Sequence, residues 1–300
     1  MPPTKQPTKQ PNNKFVYSHQ GASQRYESDL KQISNEVDRI VKKFPFRAGE
    51  EINLDDAEQL IDRLQTYSEK IYDWATNTAN KMLKQVDTQT KREWEVHSQR
   101  MSLALKNELL KTNTGKALKQ YLDDNVSLIT SLPLDAAQRV HDIVYKNIYT
   151  GKRRAETIAK EIYRTGQVTQ SRAKLIARTE TARCATGLTK VRSEAIDISW
   201  FRWNSVHDIR TRSAHAKMNN VLCRWDEPPN PEKLFPDKKQ KPYGNYLPGA
   251  TFNCRCQGNP FLRISDIQWP ASVHYKGKIV KMNKEQFLNI KGNENYRTGV

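Results

Sequence analysis

The spacing of apolar residues between positions 26 and 195 constrains the fold more than any other feature of this chain. Over most of this stretch apolar side chains recur at three- and four-residue steps, as in Leu30, Ile33 and Val37. This period places them along one face of an α-helix. From residue 198 the pattern changes to short aromatic and alternating runs, which are typical of β-strands. The sequence therefore predicts an α+β fold, with an elongated, mostly helical N-terminal part and a small mixed α/β C-terminal domain.

Helix boundaries are predicted from capping residues, proline and glycine. Asn53 or Asp55 caps a second helix, whose apolar stripe is consistent with a helix that continues to Leu110. Pro133 predicts the start of a separate helix. Residues 165–167 (Thr-Gly-Gln) predict a turn between two further helices. A helical hairpin at this place also fits a helix-turn-helix that reads DNA, although a packed hairpin accounts for the same pattern.

The C-terminal half divides into short strands and one long loop. Residues 226–248 hold six of the fourteen prolines and predict a surface loop. Strands are predicted at 198–203, 221–225 and 254–262, a short helix at 212–219, and a small hairpin at 273–280. The predicted organisation is a disordered basic arm at 1–24, a helical domain at 25–150, a C-terminal domain with a helical hairpin and a small sheet at 151–270, and a basic tail at 271–300.

The charge of the chain bears on its partners. The sequence contains 50 Lys and Arg against 33 Asp and Glu, which gives a formal net charge of +17 and a pI near 9.6. An excess of this size favours acidic partners and above all double-stranded DNA, bound without sequence preference and more weakly as salt rises. The sequence shows no apolar run long enough for a membrane span and no secretory signal, so we expect the chain to stay in the cytoplasm where it is made.

Reactive side chains concentrate between residues 203 and 256, which hold three of the four cysteines and two of the six histidines. One imidazole and two thiolates suit zinc, which favours a tetrahedron of nitrogen and sulfur ligands. The candidate metal ligands are His215, Cys254, Cys256 and Cys223, with His207 or Asp208 as alternatives for the fourth. A reduced thiol pair packed near a histidine accounts for the same residues, because the two cysteines are one residue apart rather than two.

Two other interpretations of this segment stay open. Asp208, Arg210, His215 and a cysteine could form a nucleophile, a base and an anion clamp in an enzyme, for instance a nuclease. The sequence offers no acidic pair for two-metal phosphodiester chemistry and no glycine-rich phosphate loop. Alternatively, the polar residues are architectural. In that case Asp208 fixes a turn with Arg210 and Thr211, Asn253 holds a tight turn, and Arg255 pairs with a carboxylate.

Three short motifs, taken in order, resemble a known family. They are Ala-Arg-Thr-Glu-Thr-Ala-Arg at 177–183, with Arg178 and Glu180; Asp208-x-Arg210-Thr211-Arg212-x-x-His215; and Asn253-Cys254-Arg255-Cys256. Over roughly residues 150–265 the chain resembles the phage Mu F-like (head morphogenesis, minor capsid) family of tailed bacteriophages. It departs from the family in having Met218-Asn219-Asn220 where a glycine often follows the histidine. Asparagine tolerates the left-handed backbone that this turn requires.

The resemblance implies a minor head protein that associates with the portal vertex during capsid assembly. Its expected partners are the portal protein and the major capsid or scaffold protein, and its expected place is the virion, inside the head near the portal. Some members of the family leave the head with the DNA, and no enzymatic activity follows from the resemblance. The charge of +17 fits a protein packed beside a genome. The main alternative is a DNA-processing enzyme that uses the His/Cys segment 207–256.

Overall fold

The computed structural model describes residues 19–45, 51–98, 101–150, 155–206, 208–237 and 242–291. It confirms the α+β class, since long helices form the N-terminal part and a five-stranded mixed sheet lies in the C-terminal region. Most of the predicted basic arm and the end of the predicted tail lie outside the described residues.

The structure contains ten α-helices and five strands among the described residues. The helices are α1 (Gln20–Lys42), α2 (Leu54–Lys70), α3 (Tyr72–Ser98), α4 (Leu103–Leu110), α5 (Gly115–Thr150), α6 (Ala155–Tyr163), α7 (Thr165–Glu194), α8 (Ser213–Lys217), α9 (Pro231–Leu234) and α10 (Lys284–Lys291). The strands are β1 (Trp200–Asn204), β2 (Leu222–Arg224), β3 (Gln257–Pro260), β4 (Ala271–Tyr275) and β5 (Lys278–Met282). The five strands and helix α8 therefore lie at or near their predicted positions, whereas α9 lies in the segment predicted to be a loop.

The long helices share one apolar core. Helices α1, α2, α3 and α5 pack together, and α7 packs chiefly along α1 and α5. Fully buried residues of this core include Leu30, Val37, Leu64, Ile129 and Leu188. Because Leu188 belongs to α7, the core crosses the predicted domain boundary at residue 150.

The apolar stripe that begins at Asn53 is divided among three helices. The Asn53 side chain caps α2 by accepting from the Asp55 N–H at 2.9 Å, as the sequence indicated. The first interruption is at Ile71, whose N–H still bonds to Tyr67 O at 3.2 Å and whose side chain is buried in the core. Helices α2 and α3 both pack on α5. The interruption thus lets two consecutive segments keep their apolar faces on one long partner helix.

The prediction that Pro133 starts a helix is wrong, because Pro133 lies inside α5. An internal proline removes a hydrogen bond and costs about 3 kcal/mol. Ile129, Leu132 and Val140 continue one buried face on both sides of it. Burial of each such side chain contributes roughly 1.5–3 kcal/mol, so the continuous face outweighs the proline.

The turn predicted at residues 165–167 is also wrong. Helix α6 ends at Tyr163, and α7 begins at Thr165. Gly166 lies in the first turn of α7, where a Cβ would clash with the side chain of Asp38 on α1. The glycine therefore permits the close approach of two helices rather than a turn.

The five strands form a mixed sheet in the order β3-β1-β2-β4-β5. Strand β1 is antiparallel to β2 and β3, β4 is antiparallel to β5, and β2 is parallel to β4. The predicted hairpin around Gly277 is confirmed as β4 and β5. These strands extend the sheet, so residues 271–282 are part of the folded C-terminal region rather than of a tail. One apolar cluster on the sheet, with Phe201, Trp203 and Trp225, includes the Cys/His site.

Candidate metal centre

A turn and a short helix bring His215 into the interior. The Asp208 carboxylate accepts from the Arg210 N–H at 3.1 Å and from the Thr211 hydroxyl at 3.2 Å, which closes the turn before α8. After α8, Asn220 has a φ of 64°, as predicted for the position where a glycine is usual in the family. The Asn220 N–H donates to Trp203 O at 2.8 Å and returns the chain to β1. His215 on α8 is thereby held at 2% exposure.

The loop before β3 presents Cys254 and Cys256 to the same histidine. Asn253 has a φ of 54°, and the Cys254 N–H donates to Thr251 O at 3.0 Å in a tight turn. In an extended segment, residues two apart point to the same side. Both sulfurs therefore face inward, and Arg255 between them pairs with Asp208 at 2.6 Å. This ion pair joins the cysteine loop to the turn that precedes α8.

Both sulfur-to-nitrogen separations are close to those that a tetrahedral zinc ion requires, and all three donor atoms lie within 4.8 Å of one another. The Sγ atoms of Cys254 and Cys256 are 3.4 and 3.5 Å from His215 Nδ1. With Zn–S of ~2.3 Å, Zn–N of ~2.05 Å and a tetrahedral angle, sulfur and nitrogen ligands are roughly 3.6 Å apart. Nδ1 has one lone pair and cannot accept a hydrogen bond from both thiols, whereas one ion satisfies all three atoms. The geometry and the donor chemistry thus fit zinc.

The other ring nitrogen of His215 has its own buried partners. Nε2 is 2.8 Å from the Tyr246 hydroxyl and 3.2 Å from Glu232 Oε1. The same hydroxyl donates to the Glu232 carboxylate, with O–O distances of 2.7 and 2.9 Å. A carboxylate that accepts from Nε2–H leaves the lone pair on Nδ1, which faces the sulfurs. A metal-binding histidine is typically oriented in this way by its second nitrogen.

Glu232 and Tyr246 correct the prediction for residues 226–248. The segment was expected to be a surface loop with little to bury, yet these two residues are 2% and 8% exposed. Asn230 caps the one-turn helix α9 by accepting from the Lys233 N–H at 3.0 Å, and Pro231 follows at the first helical position. An asparagine followed by proline is a helix-start signal, so the sequence itself contains the local cue for α9.

The electrostatic environment of the thiol pair is asymmetric. A hydrogen bond from the Cys256 thiol, aided by His215, holds the pKa of Cys254 well below its usual range in spite of burial. The hydrogen bond to Cys254, burial and the neighbouring negative charge raise the pKa of Cys256. Burial, with the hydrogen bond to Glu232, also raises the pKa of Tyr246, which keeps the hydroxyl a donor. One thiolate is therefore already favoured in the folded chain.

The remaining candidate residues lie elsewhere. Cys223 on β2 is buried in the same apolar cluster, but its Sγ is not among the donor atoms that lie within 4.8 Å of one another in the described part of the chain. Burial raises the pKa of the Cys223 thiol well above its ordinary value. Asp208 is held by Arg255 and is likewise outside that set. His207 lies outside the described residues.

The motif at 177–183 contributes to the site through residues other than the two singled out from the sequence. Arg178 is 3.7 Å from Glu27 of α1, and Glu180 accepts from Arg183 within α7. Thr179, in contrast, accepts from the Asn253 N–H at 3.4 Å. Gly249, with a φ of 82°, lies so close to Ala182 of α7 that a Cβ would be 3.3 Å away. Helix α7 thus forms a wall for the cysteine loop.

A cavity of about 100 Å³ adjoins the three donor residues. Its other lining residues are Val206, Arg210, Thr211, Arg212, Asn253 and Arg255. Chemically, a thiolate, an imidazole and a carboxylate in line also make up a nucleophilic triad. Such a triad uses one cysteine and has no role for a second sulfur beside His215 Nδ1. A metal site uses both sulfurs as ligands. The arrangement as a whole is therefore that of a buried Cys2His cluster that could hold a metal ion, beside a cavity lined by arginine residues.

Comparison with known proteins identifies the segment that holds this centre. Residues 138–258 match the family described as "Phage Mu protein F like protein", which confirms the resemblance drawn from the motifs. The matched segment contains His215, Cys254 and Cys256 and ends at the second residue of β3.

One relative covers more of the chain. An uncharacterized protein of Haemophilus influenzae is 25% identical over 258 residues, which are 80% of this chain and 52% of that protein. The chain therefore spans about half the length of this relative. No solved structure matches the chain. Within the described residues, no helix is both long and apolar enough to cross a membrane.

Proposed function

We propose that this chain is a minor head protein of a tailed phage that acts in head morphogenesis at the portal vertex. Its partners in this proposal are the portal protein and the major capsid or scaffold protein. The observation that carries the proposal is the family match over residues 138–258, because the matched segment includes the helix α7, the strands β1 and β2, the start of β3 and the whole Cys2His cluster. The long helices α1, α3 and α5, which lie largely outside that segment, offer extended surfaces for partner proteins.

The proposal includes non-specific contact with the packaged DNA and a position inside the head. The net charge of +17 supports both, since a strongly basic protein neutralises backbone phosphates without reading the sequence. Ejection together with the genome is an extension of the same idea. Binding to DNA should then weaken steeply as salt is raised, equally for unrelated sequences.

In this proposal the chain is not an enzyme. Among the residues that the structure describes, those that line the cavity include no carboxylate, so they supply no acidic general base and no ligands for a second metal ion. Glu232 lies on the far side of the imidazole, where it is bonded to Tyr246. The corresponding test is DNA cleavage: His215→Ala and the parent chain should both leave plasmid DNA intact, whereas metal-dependent cleavage by the parent chain alone would favour a nuclease.

We also propose that the Cys2His cluster holds a structural zinc ion. His215 comes from α8, and both cysteines come from the loop before β3, so one ion would tie together two segments that are about forty residues apart in the sequence. When bound, zinc supplies coordination free energy that adds to the stability of the folded state. Both cysteines would bind the ion as thiolates, so zinc binding would release protons and weaken as the pH falls.

The assembly role is tested by co-expression with the portal, scaffold and major capsid proteins of the same phage. Purified procapsids should contain this chain by mass spectrometry, and the chain should be lost when the portal protein is left out. If portal-containing procapsids form when this chain is left out, the chain is incorporated but is not needed for assembly. Complete absence of the chain from well-formed, portal-containing procapsids would contradict the proposal.

A further inference from the structure

We propose that the metal at the Cys2His cluster has an exchangeable fourth position that takes a carboxylate from an acidic side chain of a partner protein. The inference rests on the proposed zinc site and gives that site a second role, as a docking point. It follows from the number of ligands, the charge around the cavity and the size of the cavity.

The described part of the chain supplies three ligands. His215, Cys254 and Cys256 are the cluster whose donor atoms lie within 4.8 Å of one another. Zinc in proteins is almost always four-coordinate, and a site with three protein ligands keeps its fourth position for water or another small ligand. The Glu232 carboxylate is bonded to Tyr246 and to His215 Nε2, so it lies on the opposite side of the imidazole ring from the two sulfurs.

The fourth position faces the cavity, because all three ligand residues line it. Three arginine residues line the same cavity, Arg210, Arg212 and Arg255, and the guanidinium group of Arg212 donates to Phe252 O. Asp208 pairs with Arg255 at 2.6 Å and lies 3.5 Å from Arg210, so it offsets one of the three positive charges. Two thiolates neutralise a divalent zinc ion. The surroundings of the open position therefore keep an excess of positive charge, which favours an anion.

The size of the cavity selects a small anion. About 100 Å³ is well below the ~300 Å³ of the smaller pockets that enclose drug-sized ligands. A carboxylate on one or two methylene groups suits this space, whereas a nucleotide does not. Carboxylate oxygen is a regular zinc ligand, and the planar guanidinium group matches a carboxylate with two hydrogen bonds. Arg210, whose side chain is 74% exposed, is available at the opening to meet an acidic side chain from another protein.

The experiment uses the full chain with Co²⁺ in place of zinc. Charge-transfer absorption from thiolate to cobalt reports the two cysteine ligands, and the visible d–d bands report the fourth ligand. Sodium acetate, the carboxylate probe, is titrated in exchange for sodium perchlorate at constant ionic strength. We expect a saturable shift of the d–d bands while the charge-transfer absorption persists.

Two variants test the role of the cavity charge. Arg210→Gln should weaken acetate binding roughly fivefold, the scale of one partly exposed charge interaction, without loss of cobalt binding. Arg25→Gln, an exposed arginine on α1, is the matched control and should bind acetate like the parent chain.

The outcomes separate the two proposals. Thiolate-to-cobalt absorption without any response to acetate would overturn the carboxylate site and leave the zinc site intact. Absence of that absorption would overturn the zinc site, and the docking point with it. An acetate response that Arg210→Gln and Arg25→Gln weaken equally would refute the contribution of the cavity charge.

Discussion

Replacement of Glu232 by alanine tests the central feature of the site, which is that a buried carboxylate orients the metal-binding histidine. Glu232 is 2% exposed and accepts from the Tyr246 hydroxyl and from His215 Nε2. The alanine variant would leave the Tyr246 hydroxyl buried without an acceptor, whereas His215 Nε2 keeps the Tyr246 oxygen at 2.8 Å. One unsatisfied group costs about 1–3 kcal/mol, so the free energy of unfolding should fall by roughly 1–3 kcal/mol.

The same variant should bind zinc more weakly. Loss of a group that orients a metal-binding histidine typically lowers metal affinity by about 10–100-fold. Competition with a chromophoric chelator measures the zinc affinity, and urea unfolding in excess chelator measures the stability of the metal-free chain. The two measurements keep the loss of folding free energy separate from the loss of metal affinity.

Two further variants make the test decisive. Tyr246→Phe removes one donor and leaves Glu232 bonded to the imidazole, so it should show a smaller loss of zinc affinity than Glu232→Ala. Glu69→Ala, an exposed glutamate on α2, should change neither quantity. Zinc affinity of Glu232→Ala within twofold of the parent chain, in a folded protein, would refute the orienting role of the carboxylate.

Three predictions concern the helical core. Arg192→Ala should lower the free energy of unfolding by about 2–3 kcal/mol, as measured by urea unfolding. The expected loss is smaller than that for breaking a fully buried ion pair, because Asp87, 2.7 Å away, is partly exposed. Pro133→Ala should stabilise it by about 1–2 kcal/mol, since the restored hydrogen bond exceeds the lost burial, and a lower melting temperature would contradict this. Gly166→Ala should cost about 1–3 kcal/mol through its clash with Asp38, and Asp38→Ala in the same chain should recover part of the loss.

The fold class was predictable because it depends on short-range periodicity. Apolar residues at three- and four-residue steps predict helices with one buried face. The alternation after residue 197 predicts strands with one buried face. The wrong predictions at Pro133 and Gly166 arise from long-range contacts rather than from local periodicity. At both positions the local preference of the residue is overridden by a partner helix far away in the sequence, and no local pattern carries that information.

The candidate site was predictable to a similar extent. His215, Cys254 and Cys256 stood out because soft ligands are rare and were concentrated in one segment. Glu232 and Tyr246 did not, since nothing in the proline-rich sequence distinguishes them from Glu227 and Tyr243 in the same loop. Their role depends on the path of that loop back to α8, which is set by the cap at Asn230 and by packing on the sheet.

The placement of α7 gives the metal centre a direct connection with the helical part of the chain. One side of α7 packs along α1, with Arg178 near Glu27 and Gly166 against Asp38. Near the middle of the same helix, Thr179 accepts from the cysteine loop. A ligand at the metal that shifts this loop must therefore also act on α7, and through α7 on α1. If the long helices contact the portal and the cavity binds an acidic side chain of a head protein, the two contacts are joined by one helix and need not be independent.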